Sequence, residues 1–130
     1  MEKTMPRVLV VDDDPPVRKL ARACLEAMGL GVEEAACGKT ALAKLAAAAP
    51  ALVCLELALP ELSGYDVCEF IRRSPSLRDV PVLMMSDHSY PEDRAYALEA
   101  GAAAFLAKPF TPKTFAESVR RLLQGVGGPS

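Results

Sequence analysis

Five short apolar runs punctuate the chain, and a stretch with helical spacing follows each one. Val8-Leu9-Val10-Val11 follows Arg7 and stops at Asp12, Asp13 and Asp14. Val32 to Ala36 is more polar and reads as a strand near a sheet edge. Ala51 to Glu56 holds the unbroken run Leu52-Val53-Cys54-Leu55, closed by a lone carboxylate. Pro81 to Met85 ends at Ser86, and Ala103 to Leu106 stops before Lys108-Pro109. Runs of this length that stop at turn residues read as buried strands of a parallel sheet.

The intervening stretches repeat at helical spacing. Pro15 and Pro16 suit a first helical turn, where a missing N–H is no loss, and Asp14 stands before them as N-cap. Val17, Leu20, Ala21, Cys24, Leu25 and Met28 then make an apolar stripe, with Arg18, Lys19, Arg22 and Glu26 outward, until Gly29 and Gly31 end the helix. Gly38 to Ala48 is a second helix with Ala41, Leu42 and Leu45 inward. Gly64 opens a third, which buries Val67, Phe70 and Ile71 and ends near Arg73. Ser89 and Glu92 have the spacing of a capping box for a fourth helix, which ends at Gly101. Thr111 and Pro112 start a fifth as N-cap and N1, with Phe115, Val119, Leu122 and Leu123 inward.

Five strands alternating with five helices predict a doubly wound α/β domain with a parallel sheet. At this size the flavodoxin-like order 2-1-3-4-5 is expected. The reading gives one domain over residues 7–124, an N-terminal tail over 1–6, and a C-terminal tail or linker stub over 125–130.

Composition narrows the function classes. Hydrophobic residues make up 51% and charged residues 25%, the balance of a globular protein. A net charge of −2 gives no electrostatic footprint for nucleic acid or an anionic membrane, so neither is expected as a direct partner. No apolar run approaches the ~20 residues that span a bilayer. Met1 to Arg7 lacks the apolar segment of a signal peptide, so a cytoplasmic location is expected. Cys24, Cys37, Cys54 and Cys68 contain no C-x-x-C pair, and Cys24 and Cys54 fall inside apolar patterns; small buried hydrophobes are expected, not disulfides or metal ligands. His88, the one histidine, lies in a polar loop and is given no metal or catalytic role.

In open α/β sheets chemistry gathers at the carboxyl ends of the strands. Those ends supply Asp12, Asp13, Glu56, Ser86 and Lys108. Three converging carboxylates repel one another, and hard oxygen ligands with room for water suit Mg²⁺. An ammonium group and a hydroxyl opposite them can hold an anion beside such a metal. The set fits phosphoryl chemistry without a Gly-rich phosphate loop, since neither G-x-x-x-x-G-K-[S/T] nor G-x-G-x-x-G occurs.

In this order and spacing, VLVVDDDPPVRKL, PALVCLELALPELSGYDVCEFIR, VPVLMMS and AGAAAFLAKPFTPKTF resemble the receiver domain of two-component response regulators, over about residues 7 to 124. In that family an aspartate at the end of the third strand takes a phosphoryl group from a histidine kinase. The resemblance implies that Asp12 and Asp13 are Mg²⁺-binding acids and that the Ala58 backbone carbonyl is a further ligand. It implies Ser86 as the switch hydroxyl, Phe105 as the switch aromatic, Lys108 as the family's lysine, and a cis Lys108-Pro109 bond. Helix 4, strand 5 and helix 5 would form the output face toward a downstream protein. A histidine kinase or phosphotransfer protein, and a second copy of the chain, are the other partners it allows.

The departure is at the acceptor position, where Glu56 stands. Glutamate reaches one methylene further, roughly 1.5 Å, and an error of ~1 Å in a reacting group can cost about a hundredfold in rate. The longer arm also strains the octahedral geometry that Mg²⁺ demands. It can instead approach Lys108 and Ser86, where a phosphoryl oxygen would lie. The leading expectation is a non-enzymatic receiver, an interaction switch in bacterial signalling with altered or absent phosphorylation and an active-like resting state. The alternatives are a working phosphorelay receiver that uses Glu56 as acceptor and, less favoured, a small Mg²⁺-dependent phosphatase. No DNA-binding domain follows residue 124, so output is expected through a partner or through a domain outside this sequence.

Overall fold

The computed structural model describes residues 5–87 and 90–125. The elements alternate throughout: β1 (Arg7–Val11), α1 (Pro15–Ala27), β2 (Gly31–Ala35), α2 (Gly38–Ala47), β3 (Leu52–Glu56), α3 (Gly64–Arg73), β4 (Val82–Ser86), α4 (Pro91–Glu99), β5 (Ala104–Ala107) and α5 (Pro112–Leu123). All neighbouring strands pair in parallel in the order β2-β1-β3-β4-β5. This is the flavodoxin-like arrangement that the alternating pattern predicts.

Side chains of successive strand residues point to opposite faces, and the two faces carry separate cores. Leu9, Val11, Val53, Leu55 and Met84 pack with Ala41, Leu45, Val67, Ile71 and Ala97 of α2, α3 and α4. Val8, Val10, Leu52, Cys54, Leu83 and Met85 pack with Ala21, Leu25, Phe115 and Val119 of α1 and α5. The central strand β3 is buried at all five residues, which explains its unbroken apolar run. Each such fully buried Val, Leu or Phe contributes about 1.5–3 kcal/mol of transfer free energy. Edge strand β2 is only partly buried and keeps Glu33 and Glu34 along its length.

Parallel register brings the strand ends level. Val11 lies beside Leu55, Glu56 beside Met85, and Ser86 beside Ala107. Residues just past these pairs therefore meet at one end of the sheet.

Several local expectations change. The Asp14 side chain makes no cap bond; its backbone N–H is held instead by Asp12 Oδ1 at 2.9 Å. β2 starts and ends one residue earlier than the apolar pattern suggests. On α3, Cys68 is fully buried, whereas Phe70 is only partly so. The N-cap of α4 is Tyr90, whose N–H donates to Asp93 at 3.2 Å. The expected Ser89–Glu92 box is thus displaced by one residue, because Pro91 takes the first helical position. Ser89 and His88 lie outside the described residues, as do residues 1–4 and 126–130. All four cysteines are free thiols; Cys54 and Cys68 are buried, Cys24 and Cys37 partly so. Among the described residues, no helix is long and apolar enough to cross a membrane.

Candidate functional site

The carboxyl ends of β1, β3 and β5 place four of the predicted side chains, Asp12, Asp13, Glu56 and Lys108, around one crevice. Asp12 follows β1 and is fully buried. Its N–H donates to the Ala35 carbonyl at 3.0 Å, which carries the β1–β2 ladder one residue past the strand. Glu56 ends β3 and is 5% exposed; Ser86 ends β4 and is fully buried. Lys108 follows β5, and its backbone N–H donates to the Ser86 carbonyl at 2.8 Å. The Lys108-Pro109 bond is cis.

Gly64 fixes how closely the third crossover returns. Its N–H donates to the Leu57 carbonyl at 2.8 Å. A Cβ there would fall 2.5 Å from the Glu56 carbonyl oxygen and 2.8 Å from the Leu57 Cα. Only glycine lets α3 start against the end of β3, so the backbone under Glu56 is set by a missing side chain. Ser63 and Asp66 form a reciprocal capping box that starts α3 at this position.

The side chains form a closed set of bonds. The Lys108 ammonium donates to Asp12 Oδ2 at 2.7 Å and also to Glu56 Oε1. Glu56 Oε2 accepts the Ala58 N–H at 2.8 Å, while Asp12 Oδ1 accepts the Asp14 N–H. Every carboxylate oxygen of Asp12 and Glu56 thus has a donor from the chain. Burial alone would lower the pKa of Lys108; its bonds to Asp12 and then Glu56 outweigh this and raise it above the ordinary value. The lysine stays charged, as two buried carboxylates require.

The crevice opens into a cleft of about 570 Å³. Asp13 and Asp87 line its polar side, and Pro16, Val17, Leu20 and Phe110 its apolar side. Asp13 is exposed and lines the same cleft as Asp12, Glu56 and Lys108. Ala58 enters the site through its N–H. Among the described residues, no three Asp, Glu, His or Cys side chains are grouped so as to hold a metal ion. The lysine amine stands between Asp12 and Glu56, two of the residues that the resemblance assigns to Mg²⁺.

Phe105 is 8% exposed, and the Arg94 guanidinium covers its ring at 5.2 Å from the centroid. An ammonium or guanidinium over an aromatic face attracts it by about 0.5–2 kcal/mol.

The helical wheel assigned Arg18 to solvent, yet this residue belongs to the site's support. Its Nη1 donates to the Asp12 carbonyl at 2.7 Å and its Nε to Glu34 at 3.0 Å. Spacing held a signal: Arg18 stands three residues before buried Ala21 and seven before buried Leu25, on the stripe itself. On α3, Arg72 stands four residues after buried Cys68. It donates to the carbonyls of Gly101, Arg78 and Val80 and ties α3 to the start of β5.

Comparison with known proteins agrees with this architecture. Residues 8–120 match the response regulator receiver domain. The DNA-binding dual master transcriptional regulator RpaA of Synechocystis is 36% identical over 120 residues, 92% of this chain and 50% of that protein. The phosphate regulon transcriptional regulatory protein PhoB of Escherichia coli is 32% identical over 120 residues, 92% of this chain and 52% of its own. The chemotaxis response regulator CheY4 of Vibrio cholerae superposes with a TM-score of 0.87 at 31% identity, covering 92% of this chain and 99% of the other. The chain spans about half the length of the curated relatives it matches. Their names, those of DNA-binding and transcriptional regulators, lend no support to the expectation that nucleic acid is excluded as a partner. The chain belongs to the response regulator receiver domains, the phospho-switch modules of two-component signalling.

Proposed function

We propose that this receiver is an interaction switch whose resting state is active-like, set by the Glu56–Lys108 ion pair and not by phosphorylation. One observation carries this reading: a single ammonium bridges Asp12 and Glu56, and the second Glu56 oxygen is held by the Ala58 N–H. The carboxylate of Glu56 then stands in for the phosphoryl oxygen that the family's lysine would meet. Both of its oxygens are engaged, which leaves it a poor nucleophile. Ser86 and Phe105 are the switch pair in this reading. Support comes from the burial of both and from the Arg94 cover that favours the inward ring. The face built by α4, β5 and α5 would carry output to a downstream protein, and a histidine kinase or phosphotransfer protein would dock only weakly at the charged end.

The test is incubation with acetyl phosphate and Mg²⁺, followed by intact mass, on the wild type and Glu56→Asp. The expected result is no adduct on the wild type and a phospho-adduct on the Asp variant. Amide spectra should also differ between the wild type and Glu56→Gln at Ser86 and Phe105. A stoichiometric adduct on Glu56 would overturn the reading in favour of a working phosphorelay receiver.

A further inference from the structure

We infer that Lys108 is the resident cation of the crevice, and that the site is complete without a divalent metal. This goes beyond the reading above, because a receiver could rest in an active-like state and still require Mg²⁺.

The argument is one of charge and lone pairs. Two buried carboxylates side by side need positive charge close at hand. Lys108 supplies it through bonds to both acids, and its side chain is only 14% exposed. The remaining oxygen of each acid accepts a backbone N–H, from Asp14 and from Ala58. A hard divalent ion would have to evict the ammonium from Asp12 and Glu56. It would then take from that ammonium the two carboxylates it now bonds.

The extra methylene of Glu56 is what lets one amine reach both acids. An aspartate at this position would stop roughly 1.5 Å short and leave room between the acids. The inference assigns that methylene a role: it exchanges a site that takes a divalent ion for one whose acid oxygens are all bonded from within the chain. The state of the domain should then be indifferent to divalent cations.

Titration with MgCl₂ alone, followed by backbone amide shifts of Asp13, Asp14 and Ala58, tests this on three forms of the full chain. Glu56→Asp and Lys108→Met are expected to show saturable shifts. The wild type is expected to bind at least about tenfold more weakly than either: Lys108→Met removes a like charge at close range, and Glu56→Asp frees one acid from the ammonium. The Lys108 side-chain ¹⁵Nζ signal of the wild type should stay in place at the concentration that saturates Glu56→Asp. Should Lys108→Met fail to fold, Glu56→Asp carries the same comparison with the lysine still paired to Asp12. Wild-type binding as tight as in the variants would overturn the inference. Absence of binding in all folded forms would overturn it too, because the amine would then not be what excludes the ion.

Discussion

The chain carries two clusters of opposite charges built from the same side-chain chemistry. One lies in the crevice, where Lys108 meets Asp12 and Glu56. The other lies along edge strand β2, where Glu33 sits between Arg7 at 2.9 Å and Lys44 at 3.4 Å, and Glu34 between Arg18 at 3.0 Å and Arg22 at 2.6 Å. Strand alternation sends Glu33 toward α2 and Glu34 toward α1, so the edge is clasped from both sides. Distances barely separate the two clusters; exposure does. Edge side chains are 19–53% exposed, those of the crevice 0–14%. In water an ion pair gives back most of its Coulomb gain through screening and lost rotamer freedom, so an exposed pair is worth about 0.2–1 kcal/mol. In the crevice, removing one charge strands the others without solvent. The edge cluster is a set of nearly independent contacts, and the crevice is one interdependent unit.

The sharpest way to break that contrast is Lys108→Met. It leaves Asp12 and Glu56 buried and unpaired, and a loss of about 3–5 kcal/mol in urea unfolding is expected. Adding Asp12→Asn and Glu56→Gln to the same chain should restore most of the loss, since neutral groups need no counter-charge. Equal stability of the single and triple variants would show that the crevice charges act separately, as edge charges do. Next in size is Gly64→Ala, which touches no charge. The new Cβ meets backbone at the end of β3, so the chain must shift. About 1–3 kcal/mol is the usual cost of such overpacking. Amide shifts should centre on Glu56 and Ala58, with β2 unchanged.

The same contrast explains what was legible in the sequence. Strand ends, helix stripes and turn residues are local, and they located all ten elements and brought Asp12, Glu56, Ser86 and Lys108 to one place. What long side chains do at a distance is not local. Arg18 was assigned to solvent because arginine on a helix usually is, although its spacing from Ala21 and Leu25 put it on the buried stripe. Its stem crosses to β2 and its head grips the Asp12 carbonyl. The start of α4 was ambiguous for another reason: Ser89–Glu92 and Tyr90–Asp93 are overlapping frames, and Pro91 selects the second. The lysine's reach is not local either: spacing sets Lys108 opposite the acids, but not that its amine bonds both Asp12 and Glu56.

Titration separates the clusters by direction. The Lys108 pKa is raised above its ordinary 10.5 in the folded state. Its contribution is therefore complete below pH 10.5 and lost as pH rises through the folded value. Glu33 and Glu34 move the other way from 4.5, lowered mainly by Arg7 and by Arg22 respectively. Their contributions are complete above 4.5 and lost as pH falls through the folded values. Urea midpoints across pH should thus show an alkaline loss in the wild type that the triple crevice variant lacks. Both proteins should keep the acid loss that Glu33 and Glu34 contribute. An alkaline limb of equal size in both would detach Lys108 from the stability of the fold.

The smallest effect is expected at the edge itself. Glu34→Gln removes two partly exposed pairs and should cost about 0.2–1 kcal/mol for each. Part of even that will be hidden, because the arginines left behind can turn to water. Salt gives the finer reading. At an ionic strength near 1 M the screening length falls to about 3 Å, comparable to the Glu34 contacts. The stability difference between Glu34→Gln and the wild type should then shrink toward zero. That between Lys108→Met and the wild type should persist, since no mobile ion enters between Lys108 and Asp12. Arg18 is the instructive exception within the edge cluster. It binds a neutral carbonyl as well as Glu34, so Arg18→Ala should keep a salt-resistant part of its cost, and amide shifts should appear at Asp12 and Asp13. A cost that salt abolishes completely would place Arg18 wholly with the edge and take from the crevice this side-chain link to β2.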